Sequence, residues 1–245
     1  MSGENKKDKD KELLYLSLFA YFDMMEISSE EKKFRTAIAE YLTLKIFDIF
    51  ERFEANKNNV YGFRQGMIKT FISWILFTRL LNEDNLGEYK TYIKKTYGID
   101  LASVELIPEV DVSIDSGILG AAAIMMIIDK LEDVANEIVD STLRNIDDET
   151  ILSIDRAERI ARDEANRFPN MIAYETAKEQ GYQYHVWHTM EDKRVRKSHA
   201  SANNQKKPID EPFVIGESLM RFPMDDYYGA DIKEIISCRC SVSYE

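Results

Sequence analysis

The residues best suited to acid–base chemistry or metal binding are confined to the last quarter of this 245-residue chain. Its three histidines and two cysteines all lie between His185 and Cys240. Imidazole and thiol groups titrate near neutral pH and bind soft metal ions, whereas carboxylate and ammonium groups do neither. A chemically specialised site is therefore expected in this C-terminal segment. The long region before it is expected to act through shape, packing and charge.

The spacing of the two cysteines places both thiols where they could hold a metal ion. In a strand, Cys238 and Cys240 would project to one face and Arg239 to the other. Two thiols near an imidazole favour zinc, with His199 as the third ligand and Asp192 as a fourth ligand or an orienting group. Two alternatives stay open. The cysteines can pack as small apolar side chains beside a hydrogen-bonded His199, or one thiol can act as a nucleophile with His199 as its base.

The charged residues around these groups predict a polar network. Asp192 is placed to cap the turn after a strand, and a neighbouring arginine can bind its carboxylate with two hydrogen bonds. The predicted members of the network are Trp187, Asp192, Arg194, Arg196, His199 and Arg239. A solvated charged face is the alternative. The basic cluster at residues 193–197 is also consistent with a weak, local contact to DNA phosphates.

Composition excludes several classes of protein. A net charge of −12 argues against general nucleic-acid binding, which needs clustered Lys and Arg. The most apolar run, residues 118–128, is shorter than the about 20 residues that cross a bilayer, so no membrane contact is expected. Two cysteines with one residue between them are not a secreted-type disulfide framework, so synthesis in a reducing cytoplasm is expected.

Periodicity predicts a mainly α fold with a small C-terminal α+β module and a boundary near residue 150. Residues 1–150 are predicted as a helical region with a flexible tail at 1–11, and residues 151–245 as the module. Ser28 with Glu31 three residues on is typical of a helix start. The apolar stretches 68–81 and 118–128 predict buried helices or a docking surface, and residues 99–117 a connector or short strand.

The module is predicted to open with a helix at 153–179 and to close with a strand at 235–242. Asp155 and Glu158 could form a capping box, Gly181 would stop the helix, and Pro169 predicts a kink or break near Phe168. Residues 182–187 alternate in the period of a strand. His185 and His188, on or beside this strand, are expected to be partners in packing or hydrogen bonding rather than metal ligands.

Together these C-terminal residues resemble the phage minor head protein family, also called the Mu F-like head-morphogenesis family, over about residues 153–242. That family shows a Trp, then Asp-x-Arg-x-Arg-x-x-His, a Phe segment, a Pro turn and a closing Cys-Arg-Cys, after a helix with Ile-Ala-Arg-x-Glu. The matching positions are residues 160–164, Trp187, residues 192–199, Phe213, Pro223 and residues 238–240. Ser237 stands where the family often has Asn, and residues 200–203 lack its usual Gly.

The resemblance implies a non-enzymatic minor head protein. Its partners would be the portal protein and capsid or scaffold proteins, and it would act in procapsid assembly and in packaging or ejection of the genome. Residues 1–150 would then dock on the portal or capsid, and the mature location would be the head interior of the virion. The alternatives are a metal- or thiol-dependent hydrolase or toxin-like effector that uses His199, Cys238 and Cys240, and a host-encoded helical adaptor.

Overall fold

The computed structural model describes residues 2–25, 27–73, 83–100, 119 and 121–245. Within them the fold is mainly helical with a small sheet region near the C-terminus, which confirms the predicted fold class. The helices are α1 (Ser2–Asp23), α2 (Ser29–Ala55), α3 (Val60–Ser73), α4 (Glu83–Tyr97), α5 (Ala121–Arg144), α6 (Ile154–Glu179), α7 (Lys197–Ala202) and α8 (Ile232–Ile235). None of the described helices combines the length and the apolar character that a membrane crossing requires.

The N-terminal helices follow their predicted caps and apolar faces. The Ser28 Oγ accepts a hydrogen bond from the Glu31 N–H at 3.1 Å, which caps α2 as predicted. The buried side of α2 carries residues at spacings of three and four, namely Phe34, Ile38, Leu42, Ile46, Ile49 and Phe50. The helix α1 begins at Ser2, so residues 2–11 continue this helix, and their flexibility stays a prediction.

The break predicted in α6 near Phe168 and its predicted cap at Asp155 are wrong, whereas a kink there stays a prediction. The helix runs from Ile154 to Glu179 without a break, with Pro169 inside it. Proline removes one backbone hydrogen bond, but its neighbour Phe168 is fully buried, and this packing holds the segment helical. The cap is Ser153, whose Oγ accepts from the Arg156 N–H at 3.2 Å, so Asp155, two residues later, lies inside the first turn and does not cap the helix. Gly181 ends the helix at a φ of 78°, as predicted.

The C-terminal region contains two small antiparallel sheets. In the first, the strand order is β2 (Lys206–Pro208), β1 (Tyr184–His188) and β5 (Ser241–Tyr244). Trp187 pairs with Val242 across it. The second is a hairpin of β3 (Phe213–Ile215) and β4 (Ser218–Met220), in which Phe213 pairs with Met220.

The predicted strand at 235–242 is wrong as far as Cys240. Residues 232–235 form α8, because the Asp231 side chain accepts a hydrogen bond from the Lys233 N–H at 2.9 Å and caps a helical turn. Ser237 then adopts a φ of 54°, which turns the chain. Cys238 and Cys240 therefore lie in the loop before β5, and the strand begins at Ser241.

Several predictions concern residues outside the described ranges. The apolar stretch 68–81 is described as far as Ser73, where Ile68, Phe71 and Ile72 are buried in α3. Three predicted segments lie outside the described ranges. They are residues 74–81 of the first apolar stretch, the part of the connector at 99–117 that follows residue 100, and the start of the second apolar helix at 118. The described part of the second apolar helix starts at Ala121.

The chain packs as two compact units. The first comprises Met1–Glu40 and Arg162–Glu245, and the second comprises Tyr41–Ala161. Within the second, Arg64 of α3 donates hydrogen bonds to Asn136 at 2.7 Å and Asp140 at 2.6 Å of α5. All the predicted site residues belong to the first unit. The domain boundary near residue 150 stays a prediction.

Candidate metal site in the C-terminal module

Three of the four predicted metal ligands converge in the first unit. The Nδ1 atom of His199 lies 3.3 Å from the Sγ of Cys240 and 3.6 Å from the Sγ of Cys238. The ligand atoms of these residues all lie within 4.8 Å of one another. His199 is carried by α7, and the cysteines by the loop before β5. Their exposed fractions are between 1% and 3%, and burial of this degree is typical of structural cysteines rather than of reactive ones.

A buried carboxylate that the sequence analysis missed orients the histidine. The Nε2 of His199 lies 3.1 Å from the Oε2 of Glu234, which also accepts a hydrogen bond from the Ser198 hydroxyl at 2.7 Å. A carboxylate oxygen accepts from an imidazole N–H, so the neutral tautomer with its proton on Nε2 directs the Nδ1 lone pair at the two sulfurs. Gly216 packs against this group at a φ of 63°, and an added Cβ there would lie 3.3 Å from Ser198.

The two thiols differ in acidity. A hydrogen bond from Cys240 lowers the pKa of Cys238 well below its usual value, and His199 lowers it further against the effect of burial. The pKa of Cys240 is raised by that same hydrogen bond and by burial. Burial lowers the pKa of His199, but its hydrogen bond with Cys238 and the charge of that sulfur outweigh burial, and the net shift is upward.

The fourth predicted ligand, Asp192, does not join this cluster. Its two carboxylate oxygens accept hydrogen bonds from the Arg239 guanidinium at 2.7 and 2.8 Å, in the paired geometry that the sequence analysis expected for a neighbouring arginine. Its Oδ1 also accepts from the Arg194 N–H at 2.9 Å, which closes the turn after β1. The hydrogen bonds from Arg239 are the main cause that lowers the pKa of Asp192 to about 2.

Asp192→Ala is expected to lower the free energy of unfolding by about 2 kcal/mol, because it leaves a guanidinium buried without its counterion. The Arg239 side chain is 8% exposed, whereas that of Asp192 is 34% exposed, so solvent screens part of the loss. Urea unfolding followed by circular dichroism measures this difference. The control is Asp210→Ala, since Asp210 is 78% exposed and pairs with Lys178 at 3.2 Å. Equal midpoints for the two variants would contradict the prediction.

The remaining predicted network residues divide into core and surface positions. Trp187 is fully buried, with its ring 5.2 Å from that of Phe213 and 6.0 Å from that of His199. Arg196 donates to the backbone carbonyl of Ile236 and so fastens α7 to the cysteine loop. Arg194 is exposed, and its Nε lies 3.8 Å from the Oδ2 of Asp192.

The two other histidines serve packing and hydrogen bonding, as predicted. The buried ring of His185 lies 3.9 Å from that of Phe213, and its Nε2 is 2.9 Å from the Glu211 carbonyl. Burial lowers the pKa of His185. His188 contacts the Ser243 hydroxyl at 2.8 Å through its Nε2. Neither ring belongs to the cysteine cluster.

A second group that the sequence analysis missed fastens the cysteine loop to the helices. The Nδ2 of Asn166 in α6 donates to the Cys238 carbonyl at 2.7 Å, and its Oδ1 accepts from the buried Arg35 of α2. Arg35 also donates to Asn170 at 3.4 Å and to Glu31 at 3.1 Å. The available signal was a run of polar residues on the side of α6 that also carries buried Ala165 and Phe168.

Comparison with known proteins gives one family match, and it covers the residues of this site. Residues 127–243, just under half of the chain, match the family model described as Phage Mu protein F like protein. The match begins within α5, upstream of the predicted resemblance, and it includes every residue of the cluster. Comparison with curated proteins and with solved structures gives no significant match. Residues 127–243 therefore match a phage Mu F-like module, of the kind that phage head-morphogenesis proteins carry.

Proposed function

We propose that this chain is a minor head protein that binds the portal or the inner capsid and acts in procapsid assembly and in packaging or ejection of the genome. The observation that carries the proposal is the Mu F-like match over residues 127–243. The action is binding rather than catalysis, and the working location is the head interior after assembly in the host cytoplasm. The Mu F-like module is the stable part, and the N-terminal helices supply the docking surface.

Support for docking comes from α1, which carries apolar side chains on two sides. Leu18 and Phe22 are fully buried in the first unit, whereas Leu13 is 65% exposed and Leu16 is 55% exposed. A spacing of three residues places both leucines on one exposed side of the helix. Two neighbouring exposed leucines on a long helix suit insertion into a groove on a larger protein, which would bury both side chains. We infer that this side of α1 contacts the portal or capsid.

The double variant Leu13→Lys, Leu16→Lys is expected to abolish co-purification with the portal protein of the same phage. The two lysines should change the stability of the folded protein little, because both positions face solvent. In the docked complex, however, each would place a charge in the interface. The measurement is pull-down at micromolar concentration after co-expression. Mass spectrometry of purified particles then reports whether the wild-type chain is present in the head and whether the variant is lost from it.

The matched control is Tyr61→Lys, which adds a charge at another exposed apolar position, 77% exposed in α3. It is expected to leave both pull-down and incorporation unchanged. Absence of the wild-type chain from particles would contradict the assignment to the head. Incorporation of the double variant at the wild-type level would retain that assignment and contradict docking through α1.

A weak contact to DNA belongs to the same proposal. A small basic surface is formed by exposed Lys193 and Arg194, on the turn between β1 and α7, and by exposed Lys197, the first residue of α7. The chain as a whole has a net charge of −12, so this contact would be local and would weaken steeply with added salt. A protein of this charge can lie near packaged DNA without condensing on it.

A further inference from the structure

We propose that His199, Cys238 and Cys240 bind a zinc ion, with Glu234 as the residue that orients His199. His199 lies 39 and 41 positions before the two cysteines in sequence, and the three ligand atoms still meet within 4.8 Å. All three side chains are buried. Asp192, the fourth ligand expected from the sequence, is excluded because Arg239 occupies its carboxylate.

The distances fit tetrahedral coordination. With zinc–nitrogen and zinc–sulfur bonds of ordinary length, an imidazole nitrogen and a thiolate sulfur lie about 3.6 Å apart across a tetrahedral edge. The distances from His199 Nδ1 are 3.3 Å to Cys240 and 3.6 Å to Cys238. A single nitrogen can make one linear hydrogen bond to one thiol, so two sulfurs at this range from Nδ1 suit a shared ion better than two hydrogen bonds.

The groups around the ligands also fit a metal. Histidine ligands commonly donate their other N–H to a carboxylate, which fixes the tautomer and the ring orientation. Glu234 stands at that position, 3.1 Å from Nε2, and Ser198 holds the same carboxylate oxygen.

Three protein ligands leave one coordination position, which a water molecule would complete. The ion would join α7 to the loop before β5, two segments that belong to one hydrophobic core with Trp187 and Phe213. Its contribution would be to the stability of the Mu F-like module. This inference does not rest on the docking role proposed above, and each can fail without the other.

The test is metal analysis of the full-length protein, purified with its thiols reduced. Zinc is expected at one ion per chain by mass spectrometry of the metal. Exchange of zinc for Co²⁺ is expected to give the intense thiolate-to-cobalt charge-transfer absorption of a tetrahedral site with sulfur ligands. Removal of zinc with a chelator is expected to lower the melting temperature, and added Zn²⁺ is expected to restore it.

Variants assign the ligands. His199→Gln and Cys240→Ser are expected to lose the ion, whereas Glu234→Gln is expected to keep it with an affinity about 10–100-fold lower in competition with a chelator. The matched control is His188→Gln, since His188 lies in the same module but outside the cluster, and it should retain zinc fully. The Glu234 variant keeps all three ligands and so tests the orienting role even if a ligand variant fails to fold.

Two results would overturn the proposal. One is a folded wild-type protein with two titratable thiols that retains no zinc and gives no charge-transfer absorption with Co²⁺. That outcome would assign the cluster to a hydrogen-bonded core of two cysteines and an imidazole. The other is full zinc occupancy in Cys240→Ser, which would place the ion elsewhere in the chain.

Discussion

Trp187→Ala is expected to lower the free energy of unfolding of the full-length protein by about 3–5 kcal/mol. Among the described residues, Trp187 is the largest fully buried side chain, and its ring packs edge-on against Phe213 at 5.2 Å and His199 at 6.0 Å. Removing the indole leaves a cavity in the core that also holds Cys238 and Cys240. The loss combines the transfer energy of the ring with the cost of that cavity, because a close-packed interior collapses only in part.

Urea unfolding followed by far-ultraviolet circular dichroism measures the effect of Trp187→Ala. The matched control is Tyr61→Ala, which removes an aromatic ring that is 77% exposed and should shift the midpoint little. A midpoint for Trp187→Ala equal to that of the wild type would contradict the burial of the ring. The fluorescence of the remaining tryptophan is a second probe of whether the whole chain still unfolds.

The second large effect is expected at Asn166, where Asn166→Ala should lower the free energy of unfolding by about 3 kcal/mol. Its side chain accepts from the Arg35 guanidinium and donates to the Cys238 carbonyl at 2.7 Å. Arg35 is 1% exposed and Asn166 is fully buried, so water cannot replace either bond. The substitution leaves the buried Arg35 guanidinium with one acceptor fewer and the Cys238 carbonyl without the donor from Asn166. Each buried polar group that loses a hydrogen bond carries a desolvation cost.

The control for Asn166→Ala is Asn145→Ala. Asn145 is exposed, and its side chain donates to the Ser141 carbonyl at 2.8 Å, where water can take its place. Equal stabilities of the two variants by urea unfolding would show that the buried hydrogen bonds of Asn166 contribute no more than an exposed one. If zinc binding is lost in Asn166→Ala while the fold is kept, the loop that carries Cys238 depends on this asparagine for its position.

Local features of the fold could be predicted from sequence where a short-range rule decides them. The cap at Ser28 and the helix stop at Gly181 each depend on residues within one turn, and both are observed. The strand predicted at 235–242 failed because Asp231 caps a helical turn there and Ser237 reverses the chain. Pro169 does not break α6, since burial of the flanking residues outweighs the lost hydrogen bond.

The sequence by itself determined the types of groups in the candidate site: the imidazole at His199, the thiols at Cys238 and Cys240, and a carboxylate at Asp192 for an arginine nearby. Only the tertiary structure decided which of them meet. Asp192 binds Arg239 rather than joining the cluster. The carboxylate that contacts the imidazole is Glu234, which is separated from His199 by 34 intervening positions. Spacing along the chain fixes contacts only within a turn or a strand pair. The contacts of Glu234 and Asn166 join separate segments, and the packing of those segments sets them.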